Sequence, residues 1–293
     1  MKGKIQPGYY RHFKGNLYRV LLEVKHSETC EDLIIYQAMY GNGSIWARPK
    51  TMFLEEGRFV KVNDLEALKE VPLYLNPKFH FPDIDYVPDL LPLVESDSMS
   101  TPVKSMITLL TNKNIVPTTF FDGFVTDDDL EREILKRVNN YSNGDSLQDS
   151  FHLIQVWGGS TGRYIYIFDN GFDWEKIVNQ YKALVKTCMS ITDLSDSSID
   201  TIVGAVNKFD KSVAHMGIAY ITKHTRFWLH RTMGYNALPI YDSVMANCVM
   251  RRKSAEAKHL SEYWKVMVSK ANHLDISLVP LERQIFKYAY EQR

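Results

Sequence analysis

A lysine and an aspartate 19 residues apart, Lys223 and Asp242, are the side chains with the most chemistry to offer. A lysine amine that has given up its proton attacks carbonyl and acetal carbons. A nearby carboxylate can take that proton or stabilise the positive charge that develops. Both residues lie in HMGIAYITKHTRFWLHRTMGYNALPIYD, residues 215–242. Gly217 opens a helical pattern over Ala219–His230. In it Ala219, Lys223, Arg226 and His230 recur at i, i+4, i+7 and i+11 and share one face, while Tyr220, Ile221, Phe227 and Trp228 form the apolar side. Backbone amides at a glycine-led helix start suit a phosphate. A loop containing Gly234 follows, and Asp242 stands before the helical run SVMANCVM. If the loop folds back, amine and carboxylate face one cleft. Two plainer roles stay open: Asp242 as a helix N-cap, and Lys223 as a solvated or phosphate-contacting lysine.

Around this pair stand the candidates for contact with a nucleic acid: Trp157, Gly159, Arg163, Gly217, Arg226, His230 and Arg251. In FHLIQVWGGSTGRYIYIF, residues 151–168, two apolar runs flank GGSTGR, which reads as a hairpin or tight glycine loop. Glycines with Thr161 and Arg163 could cradle a phosphate, although no Gly-Lys-Ser/Thr follows and no helix pattern starts there. Trp157, beside the glycines, is placed to touch a base, whereas Phe227 and Trp228 read as core. His26, Glu28 and Glu31 could suggest a metal or acid–base cluster, but a His-x-Glu pair with no third ligand is weak evidence for one, and the stretch reads as a turn held by the Ser27 and Thr29 hydroxyls. His12, between Arg11 and Lys14, reads as a surface or half-buried histidine. Histidines 215, 224, 230 and 259 do not recur at metal-ligand spacing, and three scattered cysteines make no disulfide framework, zinc site or four-cysteine cluster. Neither a metal nor another cofactor is expected.

The 293 residues suffice for one large domain or two smaller ones, and 45% hydrophobic with 24% charged is ordinary globular composition. A formal net charge of zero gives the whole chain no pull on a polyanion or membrane. The charge is uneven, however: residues 121–150 carry eight acids against three bases, and residues 208–265 ten bases against four acids. The start, MKGKIQPGYYRHF, lacks the apolar run of a signal peptide, and no run of 18 apolar residues occurs, so a cytoplasmic protein without a membrane partner is expected.

The elements that must position these residues fall into an α+β arrangement. Residues 1–64 alternate short β-type runs (Leu17–Val24, Leu33–Tyr40, Ile45–Arg48) with turn signals such as GNGS, which predicts a small bent sheet or barrel. Residues 65–115 hold Pro72, Pro77, Pro82, Pro88, Pro92 and Pro102 and read as a connection, with Lys104–Thr111 opening the next module. From 116 to 293 helical patterns dominate: Asp127–Val138, Asp173–Met189, Ile199–Phe209, Ala219–His230, the run after Asp242, Ala255–Ala271 and Leu281–Tyr290.

Two resemblances add to this. Tyr9, Arg11-His12-Phe13-Lys14-Gly15, Tyr18, His26-Ser27-Glu28-Thr29, Tyr36, Trp46, Arg48-Pro49 and Met52-Phe53 make the first module resemble the bacterial domain of unknown function 1653. That implies a compact β module and no assigned activity. Apart from the resemblance, the β module is a candidate dock for a protein partner. Trp157-Gly158-Gly159 with Thr161-Gly162-Arg163, the Thr222-Lys223 helix, Leu238-Pro239-Ile240-Tyr241-Asp242-Ser243 and the Leu281-Glu282-Arg283 helix make residues 150–293 similar to the helix-hairpin-helix DNA glycosylases of the 8-oxoguanine DNA glycosylase and endonuclease III superfamily. The likeness implies DNA as the partner, DNA repair by excision of a damaged or modified base, and Asp242 at the position of the glycosylase aspartate. It departs in two places. His215 stands where a hairpin glycine is expected, and Ala219 occupies the lysine position of the bifunctional enzymes, with Lys223 one helical turn later on the same face. A non-catalytic nucleic-acid-binding or protein-interaction factor on the same fold is the alternative.

Overall fold

The computed structural model describes residues 5–82, 97–142, 145–159, 168, 172–213 and 216–291. The chain divides into two compact units, Met1–Phe79 and His80–Arg293. The proline-bearing stretch is shared between them.

In the first unit β1 (Gly8–His12), β2 (Leu17–Lys25), β3 (Asp32–Ala38), β4 (Ile45–Pro49) and β5 (Phe59–Lys61) form one antiparallel sheet in the order β4-β3-β2-β1-β5. Alternate residues of β3 are buried, Ile34, Tyr36 and Ala38, as a strand with one covered face requires. A register shift between Val20 and Leu22 interrupts the β2–β3 ladder, and such an irregularity bends a strand. The short helix α1 (Lys50–Phe53) brings Phe53 against Tyr10, Val20, Ile34 and Tyr36. A second cluster, Tyr9, Leu17, Met39, Ala67 and Val71, includes α2 (Asp64–Glu70), whose first turn is capped by Asn63 accepting from the Leu65 N–H at 2.9 Å.

The second unit is helical: α3 (Thr101–Asn112), α4 (Asp127–Asn140), α5 (Leu147–Trp157), α6 (Trp174–Ser190), α7 (Asp196–Ser212), α8 (Gly217–Met233), α9 (Ser243–Met250), α10 (Leu260–Leu274) and α11 (Leu278–Glu291). The arrangement is α+β, as the sequence patterns require. Caps explain the starts. Thr126 and Asp129 form a reciprocal capping box on α4, and Ser195 and Asp173 cap α7 and α6 through side-chain oxygens. Among the described helices none is long and apolar enough to cross a membrane.

Residues 151–157 depart from the expected hairpin strand. They lie in α5, which starts at the N-cap Ser146 and buries every residue from Ser150 to Val156. A run apolar on all sides carries no period, so helix and strand look alike in it. Most of the GGSTGR loop lies outside the described residues. Two boundaries also move: α10 begins at Leu260, and α11 begins at Leu278, with Pro280 in its first turn where no intrahelical N–H is needed.

Helix α8 is the axis of this unit. It packs against α4, α5, α6 and α7, and ten of its 17 residues are buried. Phe227 and Trp228 are core side chains, 1% and 0% exposed.

Candidate functional site

Met216 is the N-cap of helix α8, and Gly217, its first residue, has φ +69°, a backbone that favours glycine. One turn on, Tyr220 and Lys223 reach across to the end of α5. The Lys223 Nζ donates to the Gly158 carbonyl at 3.0 Å and lies 4.3 Å from the Tyr220 ring centroid. The Tyr220 hydroxyl donates to the carbonyls of Gly158 and Gly159. The two glycines are required by close packing. A Cβ on Gly158 would stand 2.7 Å from Tyr220 Cε1, and one on Gly159 2.8 Å from Pro102 Cβ, with Gly159 at φ +71°. Their N–H groups close the end of α5 on the Ile154 and Val156 carbonyls. The Gly159 amide, expected to face a phosphate, is bonded within the helix end, and the groups turned toward Lys223 are carbonyls.

The carboxylate approaches from the other side. Asp242 is the N-cap of α9, its Oδ1 accepting from the Met245 N–H at 2.9 Å. The segment that delivers it is pinned at each residue. Trp264 Nε1 donates to the Pro239 carbonyl at 2.8 Å, and the Tyr263 hydroxyl to the Ile240 carbonyl at 2.8 Å. The Ile240 N–H donates to Glu282 Oε1 at 2.9 Å, and the Tyr241 N–H to Thr222 Oγ1 at 3.0 Å. Thr222 is the residue before Lys223, so one helix turn fixes both the amine and the segment leading to the carboxylate.

Burial pushes the Lys223 amine down from 10.5 to about 8, against the opposing charges of Asp242 and Glu282. Burial likewise pushes the Asp242 carboxyl up, opposed by the Met245 N–H and by Lys223. Each group therefore feels the other's charge. Among the described residues they form no direct ion pair, and both keep partial access to solvent. An amine titrating near neutral pH beside a carboxylate is equipped to act as nucleophile or proton acceptor.

Arg226 does not share the open face expected for it. It is 7% exposed, its Nη1 lies 3.5 Å from Glu282 Oε2, and its guanidinium stands 5.8 Å from the Trp157 ring. A buried guanidinium committed to a carboxylate is not a phosphate contact, which corrects that expectation. Glu282, buried on α11 with its carboxyl pushed up by desolvation and held down by Arg226, completes a cluster of two cations and two carboxyls. His230 meets Asn139 at 3.3 Å and the Tyr235 ring edge-on, and burial lowers its proton affinity. Trp157, half-buried as the last residue of α5, packs edge-on against Phe227 at 4.9 Å. Arg251 is exposed in the left-handed conformation that ends α9. Arg163 lies outside the described residues. The structure thus brings Lys223, Asp242, Arg226 and Trp157 to one region, and places His230 on the α4 side and Arg251 at the far end of α9.

Sequence reasoning quoted Thr222 and Glu282 as landmarks of a resemblance but gave them no place in the site, and it missed Tyr263; Glu282 also carried a signal of its own, a lone acid in the stretch LVPLERQIF. Behind the pair, the buried His224 bridges Gln155 at 3.0 Å and the Tyr181 hydroxyl at 2.7 Å, and burial keeps it neutral. His26 holds its turn differently from expectation: its Nδ1, not a hydroxyl, accepts from the Glu28 and Thr29 N–H groups at 3.2 and 3.3 Å. Among the described residues no group of three His, Cys, Asp or Glu side chains could hold a metal.

Residues 8–64 match the family model described as a protein of unknown function, DUF1653. The match spans the five-stranded sheet and ends where α2 begins. No curated protein and no solved structure matches the chain.

Proposed function

We propose that the helical unit binds DNA and excises a damaged or modified base, with Lys223 as the attacking amine and Asp242 as its carboxylate partner. The observation that carries this reading is an amine brought down to about 8 within Coulombic reach of a partly open carboxylate. At pH 7.5 roughly a quarter of such an amine is unprotonated, against about 0.1% for an ordinary lysine. The excess of bases over acids in residues 208–265 adds local attraction for a polyanion. In the reaction the free Lys223 Nζ forms a bond to the sugar C1′ as the C1′–N bond to the base breaks. The base leaves with the electron pair and takes up a proton. Asp242 stabilises the positive charge on the sugar and accepts the proton shed by the amine. A base turned out of the duplex would lie beside the exposed part of Trp157.

A second reading has its own observation. The Lys223 bond to the Gly158 carbonyl and the Asp242 cap on α9 are complete structural roles. On that reading the pair ties α5, α8 and α9 together in a non-catalytic DNA- or protein-binding unit. The experiment is incubation of the full chain with duplexes carrying oxidised, deaminated or methylated bases, followed by alkali. Strand breaks at the modified base in the wild type, lost in Lys223→Ala and Asp242→Asn, support excision. Intact strands across the panel, with or without salt-sensitive binding, leave the second reading.

A further inference from the structure

The sheet of the first unit carries a cluster of aromatic rings that runs from the core to the surface. Tyr18 is their hub: its ring stands edge-on to Tyr36, Tyr40 and Phe59 at 5.4, 5.5 and 5.7 Å, and its hydroxyl meets that of Tyr40 at 2.5 Å. Strand register explains the gathering, since His12 pairs with Phe59, Tyr10 with Tyr18, and Tyr36 with Trp46. Two rings at the edge of the cluster are exposed. Phe13, packed on His12 at 4.3 Å, is 65% exposed, and Tyr40 is 40% exposed. Grouped exposed rings are uncommon on a surface with no partner.

The charge around them is positive. The Lys14 Nζ lies 5.8 Å from the Phe13 ring, Arg48 donates to the Tyr36 hydroxyl at 3.1 Å, and the Arg58 carbonyl accepts from the Phe13 N–H at 3.0 Å. Arg58 is itself paired with Glu55. His12, in the middle, has its proton affinity reduced by burial and then by Arg58, Lys14 and Arg48, all of them cations. A cage for a methylated ammonium group would be weakened by such neighbours. A polyanion carrying flat rings would gain from both the cations and the exposed faces.

We infer that this end of the β module binds single-stranded nucleic acid, its bases stacking on Phe13 and Tyr40 and its phosphates meeting Lys14 and Arg48. A duplex offers phosphates but keeps its base faces stacked, so the rings select the single strand.

The test is fluorescence anisotropy of the full chain with a labelled single-stranded oligothymidine about ten nucleotides long. Binding is expected to weaken at least fivefold in Phe13→Ala, about the least that loss of one stacking ring costs. In Lys14→Ala the slope of log affinity against log salt is expected to fall by about 0.7. Phe13 and Lys14 lie in the first unit and Lys223 and Asp242 in the second, so the loss read in these variants stands apart from base excision. No binding at low salt overturns the inference, as does affinity unchanged in both Phe13→Ala and Lys14→Ala. Preference for a trimethyl-lysine peptide that Phe13→Ala abolishes would also overturn it, and would give the surface to a protein partner.

Discussion

Replacing Lys223 by methionine should change how the protein's stability responds to alkali. In the folded chain the amine titrates near 8, against 10.5 for an ordinary lysine. Between these values the unfolded chain holds a proton that the folded chain has released, so stability rises with pH across that window. Below pH 8 both states are protonated and the folded state carries the whole burial penalty, about 3 kcal/mol from 2.5 units at 1.36 kcal/mol each. From pH 7 to pH 10 the wild type should recover about 2.5 kcal/mol of that. Methionine fills a similar volume without a charge, so Lys223→Met lacks this term. It also leaves the Gly158 carbonyl without its amine donor, at a cost of about 1–2 kcal/mol. Near pH 7 the variant should therefore be about 1–2 kcal/mol more stable than the wild type, and by pH 10 the advantage should vanish or reverse. Urea unfolding of both proteins at half-unit pH steps measures the difference, because the titrating groups that do not feel the Lys223 charge cancel. Parallel stability curves from pH 7 to 10 would refute a depressed Lys223.

Removing the Glu282 side chain in Glu282→Ala strands the buried Arg226 guanidinium and the Ile240 N–H, and a loss of about 3–5 kcal/mol is expected in chemical denaturation. His152 makes an acid-side prediction. Its ring is 1% exposed among Phe120, Phe151, Phe168 and Phe172, its Nε2 meets no hydrogen-bond partner among the described residues, and burial lowers it to about 4. A histidine lowered on folding contributes stability that is present above 6.5 and lost as pH falls toward 4, so about 3 kcal/mol should go between pH 7 and 4. His152→Phe should flatten that part of the pH–stability curve.

Legibility in the sequence followed the strength of local periodicity. Strands β2, β3 and β4 announced themselves by apolar runs between turn signals, and the helices α4, α6 and α7 because each has one buried face and a capping side chain at its start, whereas the short β1 and β5 carried no such run. Helix α5 did not, since a segment buried on every side has no period to read. The same limit applied to the site. Asp242 stood out as a helix-starting aspartate, and Lys223 by its distance from it. Arg226 looked like an open-face cation because sequence gives its angle on α8 but not the arrival of α11, which supplies Glu282 and closes that face. Gly158 and Gly159 suggested a ligand loop, while their actual constraint is the approach of Tyr220 and Pro102, partners 62 and 57 positions away.

The central claim is that Lys223 is a nucleophile toward the sugar of a nucleotide, and borohydride trapping meets it directly. The full chain would be reduced in the presence of duplexes bearing modified bases or an abasic site, and the adduct digested and mapped by mass spectrometry. A covalent protein–DNA adduct carried on Lys223, lost in Lys223→Ala and diminished in Asp242→Asn, is the predicted result. No adduct on any of these duplexes, or an adduct that persists in Lys223→Ala, would contradict it.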